Sequence, residues 1–187
     1  KVGADILGVC EVENRFVMEE LNARVPSFEY QIVHYDSPDR RGIDVGLFYN
    51  PEKLWFVESK KITVLLPSGK PTRDILYALL KFEDRLLHIF VNHWPSKYGG
   101  AEKTIPSRKA AARTLRKEVD RILKKDPAAE IVVMGDLNDE PVDPSVMEHL
   151  GANMDRKKVD GSKTVLWNVM ERYHRNPRGS TYKYGGK

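Results

Sequence analysis

The chain has 187 residues, is 41% hydrophobic and 31% charged, and carries a formal net charge of +4. That length suits one domain with a real core, and the composition is that of an ordinary globular chain. No apolar run approaches the ~20 residues of a membrane-spanning helix. Mild basicity suits an anionic substrate without demanding nucleic acid. The single Cys10 excludes an internal disulfide, so cysteine usage leaves the compartment open. In chain order, "DILGVC" (5–10) reads as a short buried strand ending at Glu11. "NRFVMEELNARV" follows as a helix, with Asn14 at its N-cap and Phe16, Val17 and Leu21 on one face. Strand-like runs then succeed one another at 30–35, 44–49, 55–66, 75–82 and 86–93, punctuated by Pro, Gly, Asp and Asn. The turn "EDR" at 83–85 predicts a hairpin and hence antiparallel pairing. Residues 102–125 form the longest predicted helix, with Ala111, Leu115, Val119 and Ile122 on its apolar stripe and a stop at Asp126-Pro127. "EIVVMG" is a buried strand, "PSVMEHL" a short helix, and 151–179 mostly loop. Repeats and low-complexity segments are absent, and one α/β domain with mixed, largely antiparallel sheets fits best.

Three polar stretches share a design in which an apolar strand ends abruptly in groups able to handle phosphate or metal. Glu11 closes "ILGVCE"; it can serve as a hard oxygen ligand or merely as a charge at the entry to the next helix. In "VNHWPSKYGG" (91–100), His93 follows a mostly apolar run. It can donate a proton to a leaving oxygen or bond a phosphoryl oxygen, or simply cap its own loop. "MGDLNDEP" (134–141) places four polar side chains directly after a core strand. In extended backbone Asp136 and Asn138 point the same way and could orient a water and hold a phosphoryl oxygen, while Leu137 points inward. Asp139, Glu140 and Pro141 then shape the turn and cap the helix near Pro144-Ser145.

Taken together, the stretches "ADILGVCEVEN" (4–14), "PTRDILYALLKF" (71–82), "VNHWPSKYGG", "IVVMGDLNDEP" (131–141) and "STYKYGG" (180–186) resemble the endonuclease/exonuclease/phosphatase superfamily, the deoxyribonuclease I-like group. The "HWPS" form is most similar to bacterial members. The resemblance implies a four-layer α/β/β/α sandwich of two mixed, mostly antiparallel sheets. It also implies hydrolysis of a phosphate ester by a metal-positioned water, with Mg²⁺ or Mn²⁺ as cofactor. Glu11 matches the family's metal-binding glutamate, Asp136 the aspartate that orients or activates the water, and Asn138 the asparagine that contacts phosphate. His93 matches the histidine near phosphate and leaving group, and Arg73 an arginine that approaches substrate phosphate. The family pattern further includes an asparagine on a strand before residue 1, and a metal-side aspartate and an Asp-His pair on strands after "STYKYGG". By that pattern, 1–187 is a single domain lacking its first strand and its C-terminal catalytic strands.

A nuclease-type phosphodiesterase is the expected activity, with nucleic acid as the expected substrate and a monomer as the expected state. A phosphatase acting on a phosphoinositide or small phosphomonoester is the alternative, and a non-catalytic binding module is the rival from another class. Arg40, Arg41, Lys97 and Arg108 are candidates for a basic groove. Secretion or a periplasmic location is open, should a signal peptide precede residue 1.

Overall fold

Period-two alternation along the strands sorts their side chains into layers. In the computed structural model, which describes residues 3–25 and 29–176, seven longer strands form two sheets. Strands β1 (Ile6–Val12), β2 (Gln31–His34) and β3 (Asp44–Tyr49) make an antiparallel sheet in the order β1-β3-β2. Strands β4 (Leu54–Ile62), β5 (Ile75–Phe82), β6 (Arg85–His93) and β7 (Glu130–Asp136) make the second, in that order. Only its β6–β7 pair is parallel, and such a pair needs a long crossover. Helix α2 (Ala101–Lys125) supplies it.

Three apolar interfaces give the fold its four layers. Between the sheets, Val45, Leu47 and Tyr49 of β3 meet Leu76, Ala78 and Leu80 of β5 and Ile89 and Val91 of β6. The opposite parity of β5 and β6, with Tyr77, Leu79 and Phe90, packs on Ala111, Ala112, Leu115 and Val119 of α2. On the other outside, Phe48 and Val12 pack with Met18 of α1 (Arg15–Asn22). The result is the α/β/β/α sandwich, with both faces of each central strand buried, as the near-continuous apolar runs require. At Gly8 the sheets come so close that a Cβ would sit 2.7 Å from Met134 Sδ.

The predicted hairpin is present, with Phe82 paired to Arg85 around Glu83-Asp84. Asn14 caps α1, its Oδ1 accepting the Val17 N–H at 3.0 Å. The predicted inner face of α1 is wrong, however: Phe16 is 66% exposed and Leu21 51%, whereas Met18 and Asn22 are buried. Met18 fills the slot that Gly46 leaves in β3, and Asn22 bonds both backbone polar groups of Tyr30. The predicted short helix is a π-helical segment, Ser145–Leu150, ending at Gly151 with φ 74°. The stretch expected to be mostly loop contains the two-residue parallel pair β8 (Ala152–Asn153) and β9 (Leu166–Trp167), and short helices α3 (Arg156–Asp160) and α4 (Glu171–His174). Elements of two to five residues are too short to show a hydrophobic period. The "STYKYGG" stretch lies outside the described residues. Among those described, no helix is long and apolar enough to cross a membrane.

Candidate functional site

The parallel ladder between β6 and β7 aligns their C-terminal ends, so that His93 stands directly opposite Asp136. Gly135 makes that alignment possible. Its φ is +119°, and a Cβ there would lie 2.0 Å from the Asn92 carbonyl oxygen, so no other residue fits between strand and turn. Beyond the last rung, the Trp94 N–H donates to the Asp136 carbonyl at 2.9 Å. The Asn138 side-chain amide donates to the Trp94 carbonyl at 2.9 Å. These bonds tie the "HWPS" and "GDLND" turns to one another.

Asp136 and Asn138 are not aligned by extended backbone, as the sequence suggests. The strand stops at Asp136, whose Oδ1 accepts the Asn138 N–H at 2.9 Å. This is an Asx turn, in which a short carboxylate replaces a backbone acceptor. It holds Asn138 at φ 51°, and Asp136 remains exposed. Leu137 between them packs toward the core under α2.

Glu11 enters from the other sheet. Cys10 pairs with Val45 and Val12 with Asp44, so Glu11 is the extra residue of a β-bulge, with φ 61°. Bulges re-aim side chains, and they recur beside active sites. Glu11 is exposed, and its carboxylate makes no hydrogen bond or ion pair with the described residues. Among the described non-glycine residues, only Glu11, Glu83 and Asn138 have positive φ. Glu83 sits in the hairpin turn, where such backbone is usual; the other two are site candidates.

His93 is buried, and its Nδ1 has no hydrogen-bond partner. Burial, then the Arg73 charge, push its imidazole below the ordinary value, against the pull of Asp136 and Glu11. The ring is therefore neutral at pH 7, and Asp136 and Glu11 are both near enough to act on it. Cys10, adjacent to Glu11, bonds the Asn92 carbonyl at 3.3 Å, and burial pushes its thiol up. It is an inert thiol, as its place in the strand suggests.

Arg73 is placed differently from expectation. Its Nε donates to the His93 carbonyl at 2.9 Å, Nη2 to the Trp94 carbonyl at 2.8 Å, and Nη1 to Asp39 Oδ2 at 2.9 Å. The residue is 4% exposed. Its guanidinium points inward and holds the backbone under the site, because planar geometry lets one fork bond three acceptors. Asp39 had no signal in the sequence beyond lying between Asp36 and Arg40-Arg41. Burial would raise its carboxyl, but the Arg41 N–H and the charges of Arg73 and Arg41 hold it below the usual range.

The expected basic groove is also revised. Arg40 and Arg41 are exposed, but Arg108 is buried beneath the "GDLND" turn, with Nε 2.7 Å from Asp139 Oδ1. Lys97 lies 3.3 Å from both Asp139 and Asp143. Ser145 Oγ donates to Asp139 Oδ2, and Arg108 Nη1 to Thr104 Oγ1 at 2.7 Å. Asp139 is thus the centre of a buried polar knot that joins α2, the "HWPS" loop and the π-helical segment. The rim above it offers the hard carboxylate oxygen of Glu11 unpaired, which fits a Mg²⁺-type ion that keeps waters and takes one or two carboxylates.

A family model described as "Endonuclease/Exonuclease/phosphatase family" matches residues 1–187. No curated protein matches significantly. Among solved structures, the human Nocturnin catalytic domain with bound sulfate anion superposes with TM-score 0.62 and 20% identity, covering 79% of this chain and 57% of that one. ANGEL2, described as a 2′,3′-cyclic phosphatase, gives TM-score 0.60 at 15% identity, covering 77% and 42%. D. rerio TDP2 complexed with single strand DNA product gives 0.54 at 21% identity, covering 76% and 50%. At these identities the likeness shows the fold, and the chain spans about half the length of the structures it matches.

Proposed function

Because the chain belongs to the endonuclease/exonuclease/phosphatase family, we propose that it is a divalent-metal-dependent phosphoesterase whose substrate is a phosphodiester of nuclease type. Residues 1–187 are read as one such domain. The observation that carries this reading is the backbone strain at the rim. Glu11 lies in a bulge of one sheet and Asn138 in the Asx turn that follows the last strand of the other, and both sit at positive φ close to His93. Strain of this sort costs about 1–3 kcal/mol per residue and persists where the surrounding structure enforces it, typically at functional sites.

In this reading Glu11 holds Mg²⁺ or Mn²⁺. When bound, the cation supplies positive charge against the phosphoryl oxygens. Asp136 orients the attacking water and takes its proton. Asn138, locked by its bonds to Trp94 and Asp136, presents its amide edge to a phosphoryl oxygen. His93, being neutral, bonds phosphate through a ring N–H rather than delivering a proton as imidazolium. Arg73 is reassigned from phosphate contact to holding the His93-Trp94 backbone, and the exposed Arg40 and Arg41, on the loop that carries Asp39, are left as cations for a polyanionic substrate. The structural relatives named with a DNA product and with cyclic-phosphatase activity are consistent with phosphodiester chemistry here.

The test is hydrolysis of DNA, RNA, phosphoinositide and phosphomonoester substrates by the protein with Mg²⁺, Mn²⁺ or chelator. Metal-dependent cleavage of a nucleic acid is the expected result. Cleavage that survives chelation, or none on any phosphoester, overturns the reading. Preference for a phosphomonoester or phosphoinositide retains the chemistry and moves the substrate to the phosphatase alternative.

A further inference from the structure

A second cluster of metal-ligating groups lies outside the rim. His34 ends β2, Asp44 begins β3, and Asp36 stands in the loop between them. One ligand atom from each lies within 4.8 Å of the others. His34 Nε2 is 3.2 Å from Asp44 Oδ2, with the two side chains only 3% and 5% exposed. Yet Nε2 is out of hydrogen-bond geometry and has no partner. Two ligands on one tetrahedral ion with bonds of about 2.0–2.1 Å stand roughly 3.3 Å apart, close to the spacing seen here. Asp36 Oδ1 is 4.0 Å from Nδ1, the other ring nitrogen, and its exposed side chain is free to swing toward the Nε2 side, a ligand oxygen of Asp36 lying within 4.8 Å of the other two ligand atoms.

A further buried carboxylate sits at the edge of the cluster. Both oxygens of Asp74 are buried without a hydrogen-bond partner. Lys61 Nζ lies 3.8 Å from Asp74 Oδ2 and donates to the Asp36 carbonyl at 3.0 Å, so Asp74 and Asp36 flank the same cation. With both ionised, the buried Asp44 and Asp74 set two negative charges against the one positive charge of Lys61, a net of −1. Buried charge is costly unless it is neutralised.

We propose that His34, Asp36 and Asp44, with Asp74 behind them, form a second divalent-cation site. One imidazole nitrogen and two carboxylates suit a Zn²⁺-type ion better than Mg²⁺, which prefers all-oxygen ligands. Its place in the chain defines what it does. His34 and Asp36 precede the loop and Asp44 follows it, so the ion clips both ends of the 36–43 segment. That segment carries Asp39, which grips Arg73, and Arg41, which bonds Asp39. The clip fixes the loop that supports the rim, whether or not the rim is hydrolytic.

The test is calorimetric titration of Zn²⁺ into the full chain carrying Glu11→Gln, which removes the carboxylate assigned to the rim metal. One equivalent is expected to bind, with affinity reduced at least tenfold by Asp36→Asn and lost in Asp44→Asn. Asp36 is exposed, so its variant tests the site without threatening the fold. Bound zinc is also expected to slow tryptic cleavage after Arg40 and Arg41 at least tenfold. The proposal fails if the Glu11→Gln chain binds no zinc, if Asp36→Asn leaves binding unchanged, or if zinc binds without protecting the loop.

Discussion

Two carboxylates three residues apart at one strand end, Asp136 and Asp139, have opposite surroundings. Asp136 is exposed and bonds only the Asn138 N–H through its side chain. Asp139 is buried and engaged by Arg108, Lys97 and Ser145. The difference separates what the site spends on chemistry from what it spends on being rigid. A carboxylate left unpaired at a rim is available to water and metal, whereas one fully paired underneath is structural support.

The comparison is broken most severely by Arg108→Ala. Removing one partner of a buried ion pair costs about 3–5 kcal/mol, so urea unfolding should show a loss of that order. If stability hardly changes, Asp139 is not the structural half. Asp136→Asn should do the reverse, lowering turnover by roughly 10²–10⁴-fold as loss of a general base does, with stability within about 0.5 kcal/mol of the parent. Steady-state assays and a melting curve on the same sample check both halves.

Arg73→Lys sharpens the picture further. An ammonium cannot span the His93 and Trp94 carbonyls and Asp39 together, and an unsatisfied buried group costs about 1–3 kcal/mol. Stability should fall by that amount, and substrate affinity should not be the quantity that changes first. Glu11→Gly should stabilise the protein by about 1 kcal/mol, since glycine accepts φ 61° without strain, while abolishing metal-dependent activity. A glycine variant no more stable than the parent would mean the bulge is not strained.

The smallest effect is with pH. Burial pushes His88 down, as it does His149 together with Arg113 and Lys109, and His93 is lowered in the same way. In each case the unfolded chain binds the proton more readily, so stability is full above about pH 6.5 and falls as pH drops toward the lowered folded values. Melting temperature measured between about pH 5 and 8 should show this slope, and His93→Gln should make it shallower.

Much of the architecture was legible because buried strands and a long amphipathic helix impose periods that short-range reading detects. "ILYALLKF" matches β5 residue for residue, and the 102–125 stripe matches α2 within one residue. The inward face of α1 was not legible, because Gly46 opens a slot for Met18 that only the neighbouring strand reveals. The placement of the candidate residues was partly legible: His93 stands opposite Asp136, with Glu11 near enough to act on it and Asn138 tied to Asp136 and Trp94, but the residues that brace them did not announce themselves. Asp39 and Asp139 look like turn residues in sequence, and Arg73 and Arg108 look like surface cations.

By itself, then, the order of apolar runs determined the strands, the crossover helix and the strand-end position of each polar group, since these depend on near-neighbour periodicity. The direction in which the charged groups point was decided only by the tertiary structure. An arginine reads alike whether it meets solvent or a buried carbonyl, and which of the two it meets depends on residues 20 or 30 positions away. The same holds for His34 and Asp44, brought within 3.2 Å by the pairing of β2 with β3.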